Sequence, residues 1–350
     1  MIGTVGIRKG LLERLFLQGI PRLWCPLLTH YTHEGEIDFD RMEAHLNHIS
    51  TWVNGYLIPG STSDGWELND SETSRIVDFA LNQARKHDLK VLLGVLKPSV
   101  EAMWSDIRWM LQKVHDFTCL HDPNEALISA NVCGFTICPP TGESLTQEII
   151  TEGLSAILDI GLPTALYQLP QVTGNEISSE TFTRLAQDFP NLIFFKDTSG
   201  ADRIAKSCQD TGGVFLVRGA EGDYARWLKD AGGPYDGFLL STANCFPSFL
   251  SKIIELIENG DIEGARLISD KLSNVMNEVF TLIQSVPQGN MFTNANKAID
   301  HYMAYGPLSS QTEGPMLHAG VRLPKSIIDE TGKILSRFNS IPAKGYLYQV

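Results

Sequence analysis

The sequence predicts an α/β fold, a (β/α)8 TIM barrel with a C-terminal helical extension. Eight short apolar segments alternate with longer segments of helical periodicity, a pattern that is typical of a parallel sheet. Eight strands also close such a sheet into a barrel, and residues 22 to about 250 have the usual barrel length. After Pro247 the pattern is helical only. The alternative is an open doubly wound sheet, which would favour a glycine-rich phosphate turn, and neither GxGxxG nor a P-loop sequence occurs.

The strand candidates are short runs rich in apolar, branched or aromatic residues. They lie at residues 22–29, 55–62, 90–96, 134–140, 164–170, 192–198, 214–220 and 237–242. Helical spacing between them predicts helices at residues 39–51, 70–87, 145–160, 179–189 and 223–231. Two of these helices begin with capping chemistry, because Asn69 stands three positions before Glu72 and Ser178 directly precedes Ser179. The C-terminal helices are predicted at residues 248–259, 262–284, 294–305 and 324–338.

These segments divide the chain into an N-terminal arm at residues 1–20, a catalytic barrel at residues 21–247 and a helical extension at residues 248–350. The arm carries Arg8, Lys9 and Arg14 but has no apolar core and no cleavage pattern, which argues against a secretory signal. The sequence of this arm is compatible with a short transit peptide and with a disordered arm.

Composition narrows the classes of protein and partner. The 350 residues are 43% apolar and 20% charged, as expected of a globular chain. The net charge of −13 argues against nucleic acid and anionic membranes, since both require a basic face. No apolar run approaches the roughly 18 residues that span a bilayer. The six cysteines lack a CxxC pair, which predicts reduced, mostly buried thiols in a cytoplasmic protein. They are Cys25, Cys119, Cys133, Cys138, Cys208 and Cys245.

One charged residue interrupts the apolar pattern at a strand end. In the stretch NLIFFKDTSG, residues 191–200, Lys196 directly follows a run that is typical of a buried strand. Since side chains alternate along a strand, an inward Lys196 lies on the same side as Phe194 and Thr198, near the rim where barrel active sites form. Apolar surroundings lower the pKa of an ammonium group, and the neutral amine can attack a ketone to form a Schiff base. The alternative is a lysine that extends from the strand end into solvent.

Hydroxyl-bearing residues follow three other strands. Ser61 and Thr62 lie at the end of the second predicted strand, Tyr167 lies in the segment LYQLP that ends the fifth, and Ser241 lies near the end of the eighth. Any one of them alone is often a turn former or a helix cap. Because the carboxyl ends of barrel strands meet at one rim, we expect these side chains to surround Lys196.

Four segments, in this order, resemble the motifs of the dihydrodipicolinate synthase / N-acetylneuraminate lyase family of class I aldolases. They are GSTSDGWELNDSE at residues 60–72, LYQLP followed by TG at residues 166–174, NLIFFKDTSG at residues 191–200 and GFLLSTANCFP at residues 237–247. The resemblance extends from about Leu23 to the helical C-terminus.

The resemblance implies roles for individual residues. Lys196 would form an imine with pyruvate or another 2-oxo acid, and Tyr167 would relay protons to the imine and to the substrate oxygen. Ser61 and Thr62 would bind the pyruvate carboxylate. The positions that match the substrate site of the lyase branch are Glu221, Leu239 and Ser241, and the resemblance implies that Glu221 and Ser241 contact a substrate hydroxyl.

The sequence departs from the synthase branch in ways that bear on the substrate. Val172 stands where that branch has the arginine that holds the second carboxylate, and Pro140 and Thr141 stand where it has a tyrosine pair. Thr141 is therefore a candidate for the relay that the tyrosine would supply. Lys97 or Arg218, at the ends of strands three and seven, is expected to supply the missing positive charge. The alternative for each is a rim charge paired with a neighbouring acid.

These expectations favour a Schiff-base aldolase or lyase that cleaves a 2-oxo acid into pyruvate and an aldehyde, or runs the reverse reaction. The KDTSG sequence is closest to branches that act on 2-oxo-3-deoxy sugar acids or 4-hydroxy-2-oxo acids. The alternatives are a deoxy sugar acid dehydratase or dihydrodipicolinate synthase with the same imine, and a catalytically lapsed barrel that binds a small acid.

No cofactor is expected, because the imine supplies the electron sink that a metal or nucleotide would otherwise supply. The pairs His30/His33 and His45/His48 lack a complementary set of ligands, so no metal site is predicted. The family resemblance further implies a homodimer or a homotetramer.

Overall fold

Eight parallel strands form a closed barrel in the computed structural model of this protein, which describes residues 3–207 and 210–348. They are β1 (Leu23–Pro26), β2 (Gly55–Ile58), β3 (Lys90–Val95), β4 (Val132–Ile137), β5 (Thr164–Gln168), β6 (Leu192–Asp197), β7 (Phe215–Arg218) and β8 (Gly237–Leu239). Each strand pairs with the next one along the chain, and β8 pairs with β1. The predicted (β/α)8 barrel is therefore confirmed, and the open doubly wound sheet is wrong.

Helices connect most of the strands and continue beyond the last one. They are α1 (Thr4–Leu15), α2 (Phe39–Ile49), α3 (Asp70–His87), α4 (Val100–Thr118), α5 (Pro123–Ser129), α6 (Gln147–Leu158), α7 (Pro170–Thr173), α8 (Ser179–Asp188), α9 (Arg203–Ser207), α10 (Pro247–Glu258), α11 (Ile262–Ile283), α12 (Met291–Tyr305) and α13 (Lys325–Arg337). The predicted caps of α3 and α8 are confirmed, because the Asn69 side chain accepts from the Glu72 amide and the Ser178 hydroxyl from the Thr181 amide. The predicted C-terminal helical extension corresponds to α10 through α13.

The helix predicted at residues 223–231 is wrong. Two short 3-10 turns, Tyr224–Arg226 and Lys229–Ala231, connect β7 to β8 instead. Asp223 has a left-handed backbone with a φ of 53°, which disfavours a helix at this residue. Serine hydroxyls of α11 accept hydrogen bonds from two amides of this connection, at 3.1 Å from Asp223 and 3.3 Å from Ala225. The C-terminal extension thus satisfies backbone groups that a regular helix would satisfy internally.

Apolar side chains fill the barrel beneath the rim. One buried cluster occupies the interior toward the amino ends of the strands and includes Trp24, Leu57, Leu92, Ala165, Phe194 and Val217. A smaller cluster lies near the carboxyl ends of β3, β4 and β5, and it consists of Leu96, Cys138, Tyr167 and Leu169. The polar groups at the rim therefore lie directly above packed apolar side chains, which partly shield them from water.

Helix α1 covers the amino ends of the strands. Phe16, the residue that follows this helix, packs with its ring centroid 6.1 Å from that of Trp24 and 5.8 Å from that of Phe194. Most of the segment expected to be an arm is therefore a packed helix. The alternative of a disordered arm is wrong for residues 4–15.

A buried arginine anchors α1 to the barrel. Arg8 is completely buried, and its guanidinium donates to four backbone carbonyl oxygens, three of them at 2.5 to 2.7 Å. These oxygens belong to Ala186, Phe189, Leu192 and Gly212. Burial lowers the pKa of Arg8 to about 10, so the group is still charged at neutral pH.

We expect Arg8→Met to lower the free energy of unfolding by about 2–5 kcal/mol, because it leaves buried carbonyl oxygens without donors. Lys9→Met is the matched control, since the Lys9 side chain is 76% exposed on the same helix. Urea unfolding monitored by tryptophan fluorescence measures both variants. Equal stability of the two variants would contradict the anchoring role.

Helix α12 ties the C-terminal extension to the rim. The Thr293 hydroxyl, at the start of this helix, donates to the Thr62 carbonyl oxygen at 2.9 Å. One turn further, Lys297 forms a buried ion pair with Asp64, with 3.2 Å between Nζ and Oδ2. Both contacts act on the 3-10 turn Ser61–Ser63 that follows β2, or on the residue directly after it. The extension therefore helps to hold a loop that carries two of the predicted site residues.

Two expectations from composition concern membranes and thiols. In the described part of the chain, no helix is long and apolar enough to cross a bilayer. The cysteines described there are free, and all except Cys119 are buried. This confirms the prediction of reduced, mostly buried thiols for these residues, whereas Cys208 lies outside the described residues.

Candidate active site

A cavity of about 240 Å³ lies at the carboxyl ends of the strands. It brings together seven of the residues predicted from the sequence, which come from the ends of five strands or the loops that follow them. These residues are Ser61, Thr62, Tyr167, Lys196, Glu221, Leu239 and Ser241. The predicted convergence of hydroxyl groups around a lysine is therefore found in the structure.

Lys196 lies on β6 with its side chain in the cavity, and only 4% of the residue is exposed. Parallel pairing of β5 and β6 places it opposite Tyr167, and its Nζ lies 3.9 Å from the centroid of the Tyr167 ring. Burial lowers the pKa of Lys196 from 10.5 to about 7, and the nearby Glu221 carboxylate offsets only part of this effect. Much of Lys196 is therefore a neutral amine at neutral pH, the form that a nucleophile requires.

A glycine makes room for the lysine side chain. A Cβ added to Gly219 would lie 2.8 Å from Cε of Lys196 and 2.4 Å from Cγ2 of Thr198. Both distances are shorter than van der Waals contact, so a larger residue at this position would displace the two side chains. The backbone after β7 thus shapes the wall against which Lys196 is packed.

Tyr167 supplies a buried phenol beside the lysine. Burial raises the pKa of Tyr167 well above its usual value, and hydrogen bonding with the hydroxyls of Thr198 and Ser61 opposes part of the shift. The Thr198 hydroxyl is itself held in place by its hydrogen bond to the Gln168 carbonyl oxygen, at 2.6 Å. The phenol is therefore protonated at rest and connected to two further hydroxyl groups, an arrangement suited to proton transfer.

Asn290 reaches the cavity from the segment before α12. Its Oδ1 caps the helix by accepting from the amides of Phe292 and Thr293, at 2.8 and 3.3 Å. This orientation turns Nδ2 toward Ser61, 3.4 Å from Oγ. Because an amide N–H can only donate, Ser61 accepts here, and its own proton can be donated to the Tyr167 phenol or to an anion bound in the cavity. Asn290 therefore orients the Ser61 hydroxyl.

Glu221 is held as a fixed acceptor at the cavity wall. Its Oε1 accepts from the Ser241 hydroxyl at 2.6 Å and from the Thr242 amide at 3.1 Å. Its Oε2 accepts from the hydroxyls of Thr242 at 2.7 Å and Tyr224 at 2.9 Å. These four donors use the lone pairs that a carboxylate offers, so the geometry favours an electrostatic role over the predicted hydrogen bond to a substrate hydroxyl.

Three residues predicted for substrate binding or for the proton relay do not line the cavity, and for Lys97 and Arg218 the alternative of a charge paired with a neighbouring acid describes their contacts. The Arg218 guanidinium forms a buried ion pair with Asp202, 3.0 Å from Nε to Oδ1. Lys97 lies 3.4 Å from the Asp106 carboxylate. The Thr141 hydroxyl donates to the backbone carbonyl oxygen of Pro98 at 3.3 Å. Each polar group is therefore occupied by a partner outside the cavity.

Part of the cavity lining was not predicted from the sequence. Asn290 and Phe292 contribute to it from the C-terminal extension, and no local pattern marked either of them. Val172 lines the cavity as well, at the position where the resemblance led us to expect a lost arginine. Thr198 was placed on the inward side with Lys196 by strand alternation, and that signal could have identified it as a site residue.

His30, His45 and Asp300 are buried close enough together to suggest a metal site. Their facing atoms are nonetheless occupied. His30 Nε2 and His45 Nδ1 lie 3.0 Å apart as a hydrogen-bonded pair, and His45 Nε2 binds the Asn244 carbonyl oxygen at 2.8 Å. Asp300 accepts from Arg41 and from the Tyr346 hydroxyl, at 2.5 and 2.9 Å, respectively. The cluster therefore joins the C-terminal segment to the barrel rather than presenting free ligands.

Comparison with known proteins agrees with the resemblance. Residues 127–290 match the family model described as the dihydrodipicolinate synthetase family. A 4-hydroxy-tetrahydrodipicolinate synthase of Clostridium novyi is 25% identical over 260 residues, which cover 73% of this chain and 80% of that protein. The enzyme of the same description from Sorangium cellulosum is 24% identical over 319 residues, which cover 89% of this chain and 95% of that protein.

Solved structures agree in fold. YagE, a prophage protein of Escherichia coli K12 that was crystallised with pyruvate, superposes with a TM-score of 0.70 at 17% identity, covering 91% of this chain and 98% of that chain. The dihydrodipicolinate synthase of Thermotoga maritima also gives a TM-score of 0.70, at 19% identity and with the same coverage, 91% and 98%. Sequence and fold therefore point the same way: residues 127–290 match the dihydrodipicolinate synthetase family, and the chain is similar to synthases of that description along most of its length.

Proposed function

We propose that this protein is a class I, Schiff-base-dependent aldolase that cleaves a 2-oxo acid into pyruvate and an aldehyde, or catalyses the reverse condensation. The proposed substrates are 2-oxo-3-deoxy sugar acids or 4-hydroxy-2-oxo acids. One observation carries the proposal: a buried lysine, Lys196, has its pKa lowered to about 7 and lies against Tyr167 in the cavity. The pyruvate complex of the related YagE adds support for the ligand class.

The first half of the proposed reaction forms an iminium ion, which can accept the electrons of the bond that breaks later. The neutral amine of Lys196 attacks the ketone carbon, and the Tyr167 phenol gives its proton to the departing hydroxide, so that water leaves and an iminium ion forms. Ser61 and Thr62 hold the carboxylate of the 2-oxo acid through hydroxyl donors. These neutral donors bind the anion without introducing a second amine that would compete for the ketone.

The second half breaks the carbon–carbon bond. The Tyr167 phenolate takes the proton of the C4 hydroxyl, the aldehyde leaves, and the bonding electrons move into the iminium group to give an enamine. The same phenol then protonates C3 of the enamine. Water finally hydrolyses the pyruvate imine, which restores both the amine and the phenol.

Two measurements with pyruvate alone test the proposal, and neither requires knowledge of the aldehyde. Reduction with cyanoborohydride in the presence of pyruvate, followed by intact mass and peptide mapping, should place one adduct on Lys196. Proton NMR in D₂O should show enzyme-dependent exchange of the pyruvate methyl protons, which reports formation of the enamine. A protein that gives neither signal is not a pyruvate-dependent aldolase.

The alternative reactions differ in their products. Dehydration of a deoxy sugar acid would use the same imine but leave the carbon skeleton intact, so mass spectrometry of the product separates it from cleavage. A catalytically lapsed barrel would bind a small acid without exchange of the pyruvate protons. We also propose a homodimer or a homotetramer on the family resemblance, which sedimentation velocity would test.

Asn290→Asp should separate the two hydrogen-bonding roles of Asn290. The new carboxylate keeps the cap on α12 but lacks the N–H that orients Ser61. We expect the pyruvate exchange rate to fall about 10-fold or more, because a hydrogen bond and its proton direction are lost beside the bound carboxylate. The free energy of unfolding should change by less than about 1 kcal/mol, since aspartate is an equally good cap.

The matched control is Asn69→Asp, which makes the same change at the cap of α3, outside the cavity lining. An unchanged exchange rate in Asn290→Asp, with the control also unchanged, would show that Ser61 does not depend on this amide.

A further inference from the structure

We propose that the cavity accepts aldehydes whose tail is uncharged and discriminates against those that carry a second carboxylate. This inference rests on the proposed function and narrows its substrate class, because it favours 2-oxo-3-deoxy sugar acids over dicarboxylic 4-hydroxy-2-oxo acids. It follows from the charge of the lining, the fixed position of one carboxylate and the apolar wall at the mouth.

The charge of the cavity lining is the first step. Among the described residues that form it, the charged side chains are Lys196 and Glu221. The Lys196 nitrogen is consumed when the imine forms, and the iminium charge lies at C2 of the substrate rather than at its tail. The remaining formal charge around the aldehyde is therefore that of Glu221, which is negative.

The Glu221 carboxylate is fixed in place, so a small rotation of its side chain would not move its charge away from a substrate. Its four donors come from Ser241, Thr242 and Tyr224, and the Thr242 amide belongs to the backbone. A second carboxylate in the cavity would thus meet a fixed like charge in surroundings that screen it less than water does.

Neighbouring cations are not free to compensate. Arg218 is held by Asp202 in a buried pair, and its guanidinium also stacks on Trp227, with 3.9 Å from Cζ to the ring centroid. Lys97 is held near Asp106 at 3.4 Å and does not line the cavity. Recruiting the arginine to a substrate would deprive the buried Asp202 carboxylate of its closer cation, because Lys206 lies 3.7 Å away, and this loss is costly.

The wall at the mouth is suited to a neutral chain. Val172 and Phe292 line it from α7 and from the start of α12, and Leu169 and Leu239 lie further in. Val172 is 39% exposed, which places it at the opening where the tail of an aldehyde would pass. Hydroxyl and amide groups of the lining can bind substrate hydroxyls without any formal charge.

The test compares two aldehydes of equal chain length in the condensation with pyruvate. Butanal ends in a methyl group and succinic semialdehyde ends in a carboxylate. Initial rates of 4-hydroxy-2-oxo acid formation by the purified full chain, followed by mass spectrometry, give kcat/KM for each. We expect kcat/KM to favour butanal by about 10- to 100-fold, the range that corresponds to one absent charge-assisted contact.

Variants at the mouth make the test specific. Val172→Arg should shift the ratio of the two kcat/KM values toward succinic semialdehyde by about 10-fold or more, because it adds a cation where the tail passes. Val172→Met, which is long but neutral, should leave the ratio unchanged. A ratio that Val172→Arg does not alter would overturn the placement of the aldehyde tail at this wall.

A trapping reaction with pyruvate alone separates failure of this inference from failure of the proposed function. Absence of the Lys196 adduct overturns the proposed function. A normal adduct together with condensation of succinic semialdehyde at or above the rate of butanal overturns only the present inference, and a normal adduct with no condensation of either aldehyde overturns it as well.

Discussion

Lys196→Met should abolish the borohydride-stable adduct with pyruvate and reduce turnover by at least about 10⁴-fold, since Lys196 forms the covalent intermediate in the proposed mechanism. Methionine has a similar length and no amine, so the packing against Tyr167 and Gly219 is largely kept. Intact mass after cyanoborohydride reduction measures the adduct, and pyruvate methyl exchange measures enamine formation.

Lys97→Met is the matched control for this experiment. Lys97 also lies close to the end of a barrel strand, two residues after β3, but its amine faces Asp106 and not the cavity. The control should therefore form the adduct on Lys196 as the parent does. An adduct that persists in Lys196→Met and maps to Lys97 would falsify the assignment of the nucleophile.

The same substitution should change how stability depends on pH. The pKa of Lys196 is about 7 in the folded protein and 10.5 as its ordinary value, so the unfolded chain binds more protons between these two values. This burial penalty is fully present below pH 7 and disappears as the pH rises through 10.5. Lys196→Met removes it, and we expect a gain of up to a few kcal/mol near neutral pH, at about 1.4 kcal/mol for each pKa unit.

Urea unfolding of the parent and of Lys196→Met at pH 7 and pH 9 measures this effect. The difference in the free energy of unfolding should be larger at pH 7 than at pH 9. A difference that does not depend on pH, or that grows toward pH 9, would mean that the folded-state pKa of Lys196 is not lowered.

Tyr167→Phe should reduce turnover by about 10²- to 10⁴-fold, the usual contribution of a general acid–base group. The ring is retained, so the apolar packing with Leu96, Cys138 and Leu169 persists. The phenol proton is lost, and with it the connection between Ser61 and Thr198. Imine formation should slow as well, because the departing hydroxide no longer receives a proton from this group.

Single-turnover trapping and steady-state pyruvate exchange measure the two effects separately. Tyr56→Phe is the matched control, since this buried tyrosine donates to the Val53 carbonyl oxygen at 3.0 Å near the start of β2. If Tyr167→Phe exchanges pyruvate protons at the parental rate, the proton transfer belongs to another group, for which Thr198 and Ser61 are the candidates.

Local patterns were sufficient to predict the barrel. Each of the eight strands is buried within the described structure, so each appears in the sequence as a short apolar run between helical segments. The connection between β7 and β8 was predicted wrongly because its backbone partners, Ser269 and Ser273, lie about 50 residues further along the chain. A rule based on neighbouring residues cannot include such partners.

Helix α1 illustrates the same limit at the other end of the chain. Its sequence has charged residues without a clear apolar stripe, so the pattern left a disordered arm open. The helix is stabilised by Arg8 through carbonyl oxygens that belong to residues 186–212. The residues of the segment itself do not indicate these distant acceptors.

The positions of four cavity residues at the rim could be predicted from the sequence alone, and these residues are Lys196, Tyr167, Ser61 and Thr62. Each follows or ends a predicted strand, and barrel geometry requires the carboxyl ends of the strands to meet at one rim. The burial that lowers the pKa of Lys196 was also foreseeable, because the residue directly follows a fully apolar run. For these residues, the order of the strands and the alternation of side chains along each strand determine where the side chain lies at the rim.

Only the tertiary structure decided how charges and distant loops are arranged around that centre. Arg218 and Lys97 lie near strand ends, where they could have bound a substrate. In the structure Asp202 pairs with the arginine and Asp106 with the lysine. The sequence alone does not determine which acidic residue pairs with a given cation. Asn290 enters the cavity about 90 residues after Lys196, because the packing of α12 against the turn after β2 carries it there. The chemistry at the strand ends is thus local in origin, whereas the selectivity we infer depends on ion pairs and helix packing between distant parts of the chain.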